Sequence, residues 1–272
     1  MERRPAAVPI IIALVVLLTG GAAAAAPAPL PLEVSGATYA EYDARSGVWL
    51  LRGSPVVITR GATRLEAGEI HYDERRAVAS ATGAVTVRHE TLTLRAARAE
   101  ARLRENLVVA AGEVLVTARR AGGEAKLTAA RVEMNLARRR VVATGQPALT
   151  QQEARLTAAR LEFDEPTQTV AAIGGSELIL PEGRLVAGRI DASLKDDRAQ
   201  ARDAVRITAG ELTGQAPQAT LDRRAGLVTL SGGVVLRRGG DLLTAETIVV
   251  DLRAQRVVAT GGPRLTVGEP GK

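Results

Sequence analysis

A repeat of about 29 residues runs through nearly the whole chain, and it constrains the fold more than any single motif. Lys126 to Glu153, KLTAARVEMNLARRRVVATGQPALTQQE, is a complete copy. It has a Leu-x-Ala start, a short apolar run closing on Asp or Asn, a basic turn, a Val-x-Ala-Thr-Gly segment and an alternating apolar tail. Taking Gly53, Gly83, Gly112, Gly145, Gly174, Asp203, Gly232 and Gly261 as markers gives intervals of 30, 29, 33, 29, 29, 29 and 29 residues. The long interval holds Arg119-Arg120-Ala121-Gly122-Gly123, a loop insertion of the kind repeat proteins tolerate. The same steps pass through Asp43, Asp73, Arg102, Asn135, Asp164, Ser193, Asp222 and Asp251, so two independent markers agree.

Side-chain period within the unit predicts strands. Val141, Ala143, Gly145, Pro147 and Leu149 alternate, as do Val257, Ala259, Gly261, Pro263 and Leu265. On this pattern the marker glycine points inward, where a missing side chain lets a long strand bend over the core. The first half of the unit changes parity once: Leu127 and Ala129 are followed by Val132 and Met134. Both ends then face inward only if a bulge or corner lies between them. The Asp column suits the first position of a type I turn. Each repeat therefore reads as a hairpin of two bent strands. The predicted fold is all-β, an elongated, open, V-shaped antiparallel jelly roll of about eight hairpin repeats and about sixteen strands.

Only 2% of residues are aromatic, so such a core is built from Val, Leu, Ile and Ala. The absence of cysteine removes disulfide scaffolds, thiolate metal sites and Cys nucleophiles. Arg3-Arg4, an apolar run from Val8 to Leu18 and the alanines Ala22 to Ala26 follow the order of a secretory signal. Residues 1–26 are thus expected to be a signal peptide or, if uncleaved, an anchor. Residues 27–37 are a linker, 38–267 the repeat domain and 268–272 a tail. The sixth and seventh units depart most from the repeat: Asp203 replaces glycine, Gly214 replaces the leading Leu, and Pro217 lacks a ladder N–H. A boundary between tandem halves, 38–150 and 151–267, is one reading, and ordinary repeat drift is the other.

Aligned repeats give two inward columns. One runs Tyr42, Tyr72, Ala101, Met134, Phe163, Ala192, Leu221, Val250; the other runs Val57, Val87, Val116, Leu149, Leu178, Ile207, Leu236, Leu265. Tyr72, Met134, Phe163, Leu149, Leu178, Ile190, Ile207, Leu221, Leu236, Val250 and Leu265 are the candidate groove lining. If the V closes, they fill the interior; if it stays open, the small residues Ala81, Ala110, Ala143, Ala172, Ala201 and Ala259 leave room for acyl chains. Basic turns at Arg138, Arg139, Arg140, Arg223 and Arg224 either solvate the rim or meet an anionic head group such as a phosphate. His71 and His89 lie in no metal-ligand spacing, and the Asp column is explained by turns. No catalytic residue, metal site or cofactor is predicted. Nucleic acid is not an expected partner for an exported chain with so few rings to stack on bases.

The Leu-x-Ala starts (Leu94 to Ala96, Leu127 to Ala129, Leu156 to Ala158), the Asp turns and the Ala-Thr-Gly segments at Ala81, Ala143 and Ala259 resemble the LptA/OstA-like family over Thr38 to Val267. That resemblance implies a non-enzymatic periplasmic protein that binds lipopolysaccharide, or a related anionic lipid, and shields lipid A acyl chains in its groove. It also implies end-to-end strand addition with other jelly-roll transport proteins, as a homo-oligomer or a hetero-assembly that bridges the inner and outer membranes. An LptC-like partner anchored in the inner membrane remains open, as does a structural rod that binds no lipid.

Overall fold

The computed structural model describes residues 33–268 except 61, 90, 121, 122, 194 and 255. The predicted signal, residues 1–26, lies outside the described residues. The first strands in chain order are β1 (Glu33–Asp43), β2 (Val48–Arg60), β3 (Thr63–Asp73), β4 (Val78–His89), β5 (Leu92–Arg102), β6 (Leu107–Arg120), β7 (Gly123–Asn135), β8 (Arg140–Thr144) and β9 (Ala148–Gln151). They are followed by β10 (Ala154–Thr157), β11 (Arg160–Asp164), β12 (Thr169–Leu180), β13 (Gly183–Ser193), β14 (Arg198–Ala209), β15 (Leu212–Asp222), β16 (Leu227–Arg238), β17 (Asp241–Asp251), β18 (Arg256–Thr260) and β19 (Arg264–Thr266). The fold is all-β, and consecutive long strands pair antiparallel. Nineteen strands appear among the described residues because three of the sixteen expected ones are each divided at mid-length. Two of the breaks fall at Gly145-Gln146-Pro147 and Gly261-Gly262-Pro263, where proline has no N–H for the ladder. β1 begins at Glu33, so residues 33–37 are strand rather than linker.

Two compact units result. One comprises residues up to Leu149 with Glu162–Pro166, and the other Thr150–Leu161 with residues from Thr167 onward. In the first, Val56, Ala67, Ile70, Ala81 and Val85 form a buried cluster against which Leu51, Ile58, Leu65, Val87 and Ala99 pack. In the second, Leu230 and Ile248 are fully buried.

The Asp column makes the turns. Asp73 accepts a hydrogen bond from the Arg76 N–H at 2.8 Å, Asn135 from Arg138 at 2.8 Å, and Asp222 from Ala225 at 2.9 Å. Successive turns are also tied to one another, as where the Leu103 N–H donates to the Ala77 carbonyl at 2.9 Å and Leu252 to Gly226 at 2.9 Å.

At the bend the structure corrects the sequence reading. The marker glycines do not point inward; Gly83, Gly112, Gly145, Gly174, Gly232 and Gly261 are all exposed. Each begins a pair of consecutive residues with positive φ, such as Gly145 (78°) and Gln146 (57°), set in a bulge. Because the bulge places two residues in succession on the outside, Ala143 and Pro147 both remain buried. In β7 the predicted parity change is present: Ala125, Leu127 and Ala129 are buried, then Val132.

Glycine is needed at the bend for its φ and for contact. A Cβ on Gly145 would stand 2.4 Å from the Ala130 Cβ on the neighbouring strand, and one on Gly112 would stand 2.7 Å from that of Ala97. The apparent defect at Asp203 follows the same rule with the partners exchanged. Asp203 adopts φ 69°, and the residue facing it is Gly188, where a Cβ would lie 2.6 Å from the Asp203 Cβ. Pro217 falls in the interval where β14 and β15 skip their pairing and packs over Gly232, so no ladder bond is lost.

Candidate functional site

Cross-strand register assembles the two predicted columns into continuous inner rows. In the second unit one row runs Leu156, Leu178, Leu185, Ile207, Gly214, Leu236, Leu243, Leu265 across successive strands. The other runs Val170, Ala192, Ala199, Leu221, Val228, Val250, Val257. In the first unit Tyr42, Trp49, Tyr72, Ala79, Ala101, Val108, Met134 and Val141 are likewise in register. The one misplaced member is Val57: Ile58 instead faces Leu65, which in turn faces Val87. β2 carries one residue more at its bulge than β4 does, which displaces everything after it by one position.

Both rows of the second unit meet around an apolar cavity of about 110 Å³. Leu178, Leu185 and Ile207 line it from one arm of the bent strands, and Ala199, Leu221, Val228 and Val250 from the other, with Ile190, Ala201 and Ala219 near the bend. Five predicted lining residues, Leu178, Ile190, Ile207, Leu221 and Val250, are thus brought together. Leu236 is buried in the same row, and its Cδ1 lies 3.1 Å from where a Gly214 Cβ would be. In the first unit Phe163 and Leu149 are buried, while Tyr72 and Met134 are half-buried. Leu265 departs from the expectation: it is 65% exposed on β19, where it pairs with Leu243 of β17. A side chain on a terminal strand has a neighbour on one side only.

Charged groups stand at the rims. Glu182 and Arg184 border one end of the cavity, and Arg184 is paired with Glu177. The predicted cationic rim is largely spent on carboxylates of the chain itself. Arg139 pairs with Glu165, Arg140 with Asp164, and Arg224 with Asp197 at 3.1 Å and with the Lys195 carbonyl at 2.8 Å. Arg138 and Arg223 are exposed and make no ion pair among the described residues. Turn carboxylates are held below the usual range: Asp43 first by the Ser46 hydroxyl, Asp222 first by the Ala225 N–H and then by Arg198, and Asp251 first by the Ala254 N–H. These hydrogen bonds favour the ionised form as part of the turn. Among the described residues no cluster of His, Asp and Glu has a metal-binding arrangement.

Sequence reasoning missed an aromatic group at the start of the first unit. Tyr42 and Trp49 lie with ring centroids 4.7 Å apart, and both reach Glu74: the Trp49 Nε1–H donates at 3.0 Å and the Tyr42 hydroxyl at 3.3 Å. The column alignment held Tyr42 and Tyr72 but not Trp49, because its strand belongs to the other half of the repeat.

A family model described as "LptA/(LptD N-terminal domain) LPS transport protein" matches residues 64–169 and again 126–256. Among solved structures, one similar chain is LptH, described as the LptA-homologous periplasmic component of the lipopolysaccharide transport device of Pseudomonas aeruginosa. It is 18% identical, with 56% of this chain and 95% of that chain covered and a TM-score of 0.30. No curated protein matches the sequence.

Proposed function

Because the chain belongs to the LptA/(LptD N-terminal domain) family of lipopolysaccharide transport proteins, we propose that it carries lipopolysaccharide through the periplasm with acyl chains held between the arms of its bent strands. It is a carrier and not an enzyme. The observation that carries this reading is the apolar cavity on which both inner rows of the second unit converge. Each methylene moved there from water contributes about 0.8 kcal/mol, so a carrier needs only to keep a hydrocarbon surface available and to let go of it.

We read the halves 38–150 and 151–267 as tandem jelly-roll modules, a reading supported by the two compact units, in which Glu162–Pro166 nevertheless groups with the first. Their terminal strands suit end-to-end addition. β1 is exposed along its whole length and carries Glu33, Glu41 and Asp43. β18 and β19 are also exposed and carry Arg256 and Arg264. An acidic strand in the first unit and basic ones in the second favour pairing between copies, or with another jelly roll of the same kind.

A photo-crosslinking amino acid at Leu178 or Leu221 tests the carrier reading in cells that make lipopolysaccharide. Adducts with lipopolysaccharide at both positions, and none at the outward Arg206, are expected. Labelling of protein alone at Leu178 and Leu221 overturns the reading. It would leave the structural rod, which the closed packing of the first unit's cluster favours.

A further inference from the structure

Four of the five aromatic residues of the chain, Tyr39, Tyr42, Trp49 and Tyr72, lie on β1, β2 and β3. Three of them, Tyr42, Trp49 and Tyr72, stand in register on one face. They do not fill a core, for Tyr42 is 43% and Trp49 38% exposed. A place near a terminal strand accounts for the exposure but not for the rings. The exposed inner residues of β18 and β19 are Val257 and Leu265, and the place of Trp49 holds alanine or valine in every other repeat, from Ala79 to Val257. The rings are also fixed. Glu74 accepts the Trp49 Nε1–H at 3.0 Å through Oε1 and the Tyr42 hydroxyl at 3.3 Å through Oε2. Its own N–H donates to the Gly47 carbonyl at 3.0 Å, and the Arg75 side chain covers Gly47, where an added Cβ would lie 3.3 Å from Cγ and Nε. Among the described residues Glu74 makes no ion pair, unlike Glu165 at the same place in its turn, which takes Arg139.

We propose that Trp49, Tyr42 and Glu74 form a saccharide-binding site on the first unit, one that does not depend on the carrier reading. A hexopyranose presents on its flat side C–H bonds that lie well against the electron-rich face of an aromatic ring. An ionised carboxylate accepts about four hydrogen bonds, and the two rings take one direction at each Glu74 oxygen. The remaining directions accept from neighbouring sugar hydroxyls, and hydrogen bonds to an ionised group are the strong ones. Other occupants fit worse. An aliphatic segment or a lipid surface laid over the rings would bury the Glu74 carboxylate with no cation to meet it. A cation cage needs two separated walls, whereas these centroids are 4.7 Å apart with planes 31° from parallel, a stacked pair. The sugar belongs either to a lipid-borne glycan or to one free of lipid, and both present the same pyranose chemistry.

Trp49 is the sole tryptophan, so its emission reads the site directly. The full chain is titrated with the oligosaccharide released from lipopolysaccharide by mild acid and, separately, with chitotetraose, an uncharged oligomer of N-acetylglucosamine. A saturable change of emission with the first probe supports the site and assigns it the sugar of a carried lipid. A change with the second alone supports the site and assigns it a glycan free of lipid. Glu74→Gln keeps the shape and one acceptor oxygen and should weaken binding roughly tenfold, the loss expected when a hydrogen bond to a charged group becomes a neutral one. Tyr42→Ala should weaken it as well. Tyr39 lies on the opposite face of β1, beside Arg52, and Tyr39→Ala should leave the affinity unaltered. Should Tyr42→Ala not fold, the exposed Glu74→Gln gives the same test. No change of emission with either probe, or equal affinities for wild type and folded Glu74→Gln, overturns the site. The carrier reading is read separately, by lipopolysaccharide adducts at Leu178 and Leu221, which Glu74→Gln should leave in place.

Discussion

Gly145→Ala probes the physical origin of the bend. Gly145 has φ 78°, and an added Cβ would lie 2.4 Å from the Ala130 Cβ and 3.4 Å from its Cα. An L-residue in the left-handed region costs about 1–2 kcal/mol. Carbon atoms prefer separations of about 3.5–4.0 Å, so two backbones must also move apart, a distortion of about 1–3 kcal/mol. The variant should lose about 2–5 kcal/mol, which lowers the melting temperature by roughly 4–20 °C for a unit of this size. Trp49, the sole tryptophan, belongs to the same compact unit and reports its unfolding by fluorescence. The decisive measurement is a double-mutant cycle with Ala130→Gly. Removing the facing methyl should return the packing part and leave the φ part, a coupling of about 1–3 kcal/mol. The chain already contains this arrangement in Asp203 facing Gly188. Strictly additive effects would refute the steric account.

Three further outcomes are expected. Ser176 is fully buried with no partner for its hydroxyl among the described residues, at the repeat position of Val85, Val114, Val205 and Val234; Ser176→Val should stabilise the second unit by about 1–3 kcal/mol, and a lower melting temperature by calorimetry would count against it. Leu230→Ala, at a site with 0% exposure, should cost about 2–5 kcal/mol in urea unfolding, whereas Leu265→Ala on the exposed terminal strand should stay within about 0.5 kcal/mol; equal losses would contradict the assigned burial. Asp222 has a folded pKa depressed by the Ala225 N–H and Arg198, so its contribution is present above its unfolded pKa of about 3.9 and is lost as pH falls through the folded value. Asp222→Asn should therefore flatten the fall of stability below about pH 4, and an unchanged slope would rule out this turn as a contributor to acid lability.

Strands, their approximate number, the turn residues and the membership of the inner rows were legible in the sequence because each depends on local geometry. Side chains alternate with period two, and an Asp at the head of a turn bonds its own loop. The direction of the marker glycine was not legible. Alternation alone carries Gly145 inward, and only the extra residue of the bulge shows that Gly145 and Gln146 both face out. The ion pairing of the arginine rim was not legible for a related reason. Arg139 and Arg140 look free until the next turn, some 25 residues on, brings Glu165 and Asp164 beside them.

The sequence by itself determined the repeat, the all-β class and, away from the bend, most of the residues that face inward, since a period and a parity are properties of one strand. Only the tertiary structure decided which inward residues surround open space. Leu178 and Leu221 lie more than 40 positions apart on opposite arms, and the gap they share with Ile207 and Ala199 depends on how much side-chain volume both arms bring to the same place. Ala199 reads as drift along the chain, yet in the folded protein it borders the cavity, while Gly214 lies against Ile207 of the cavity wall.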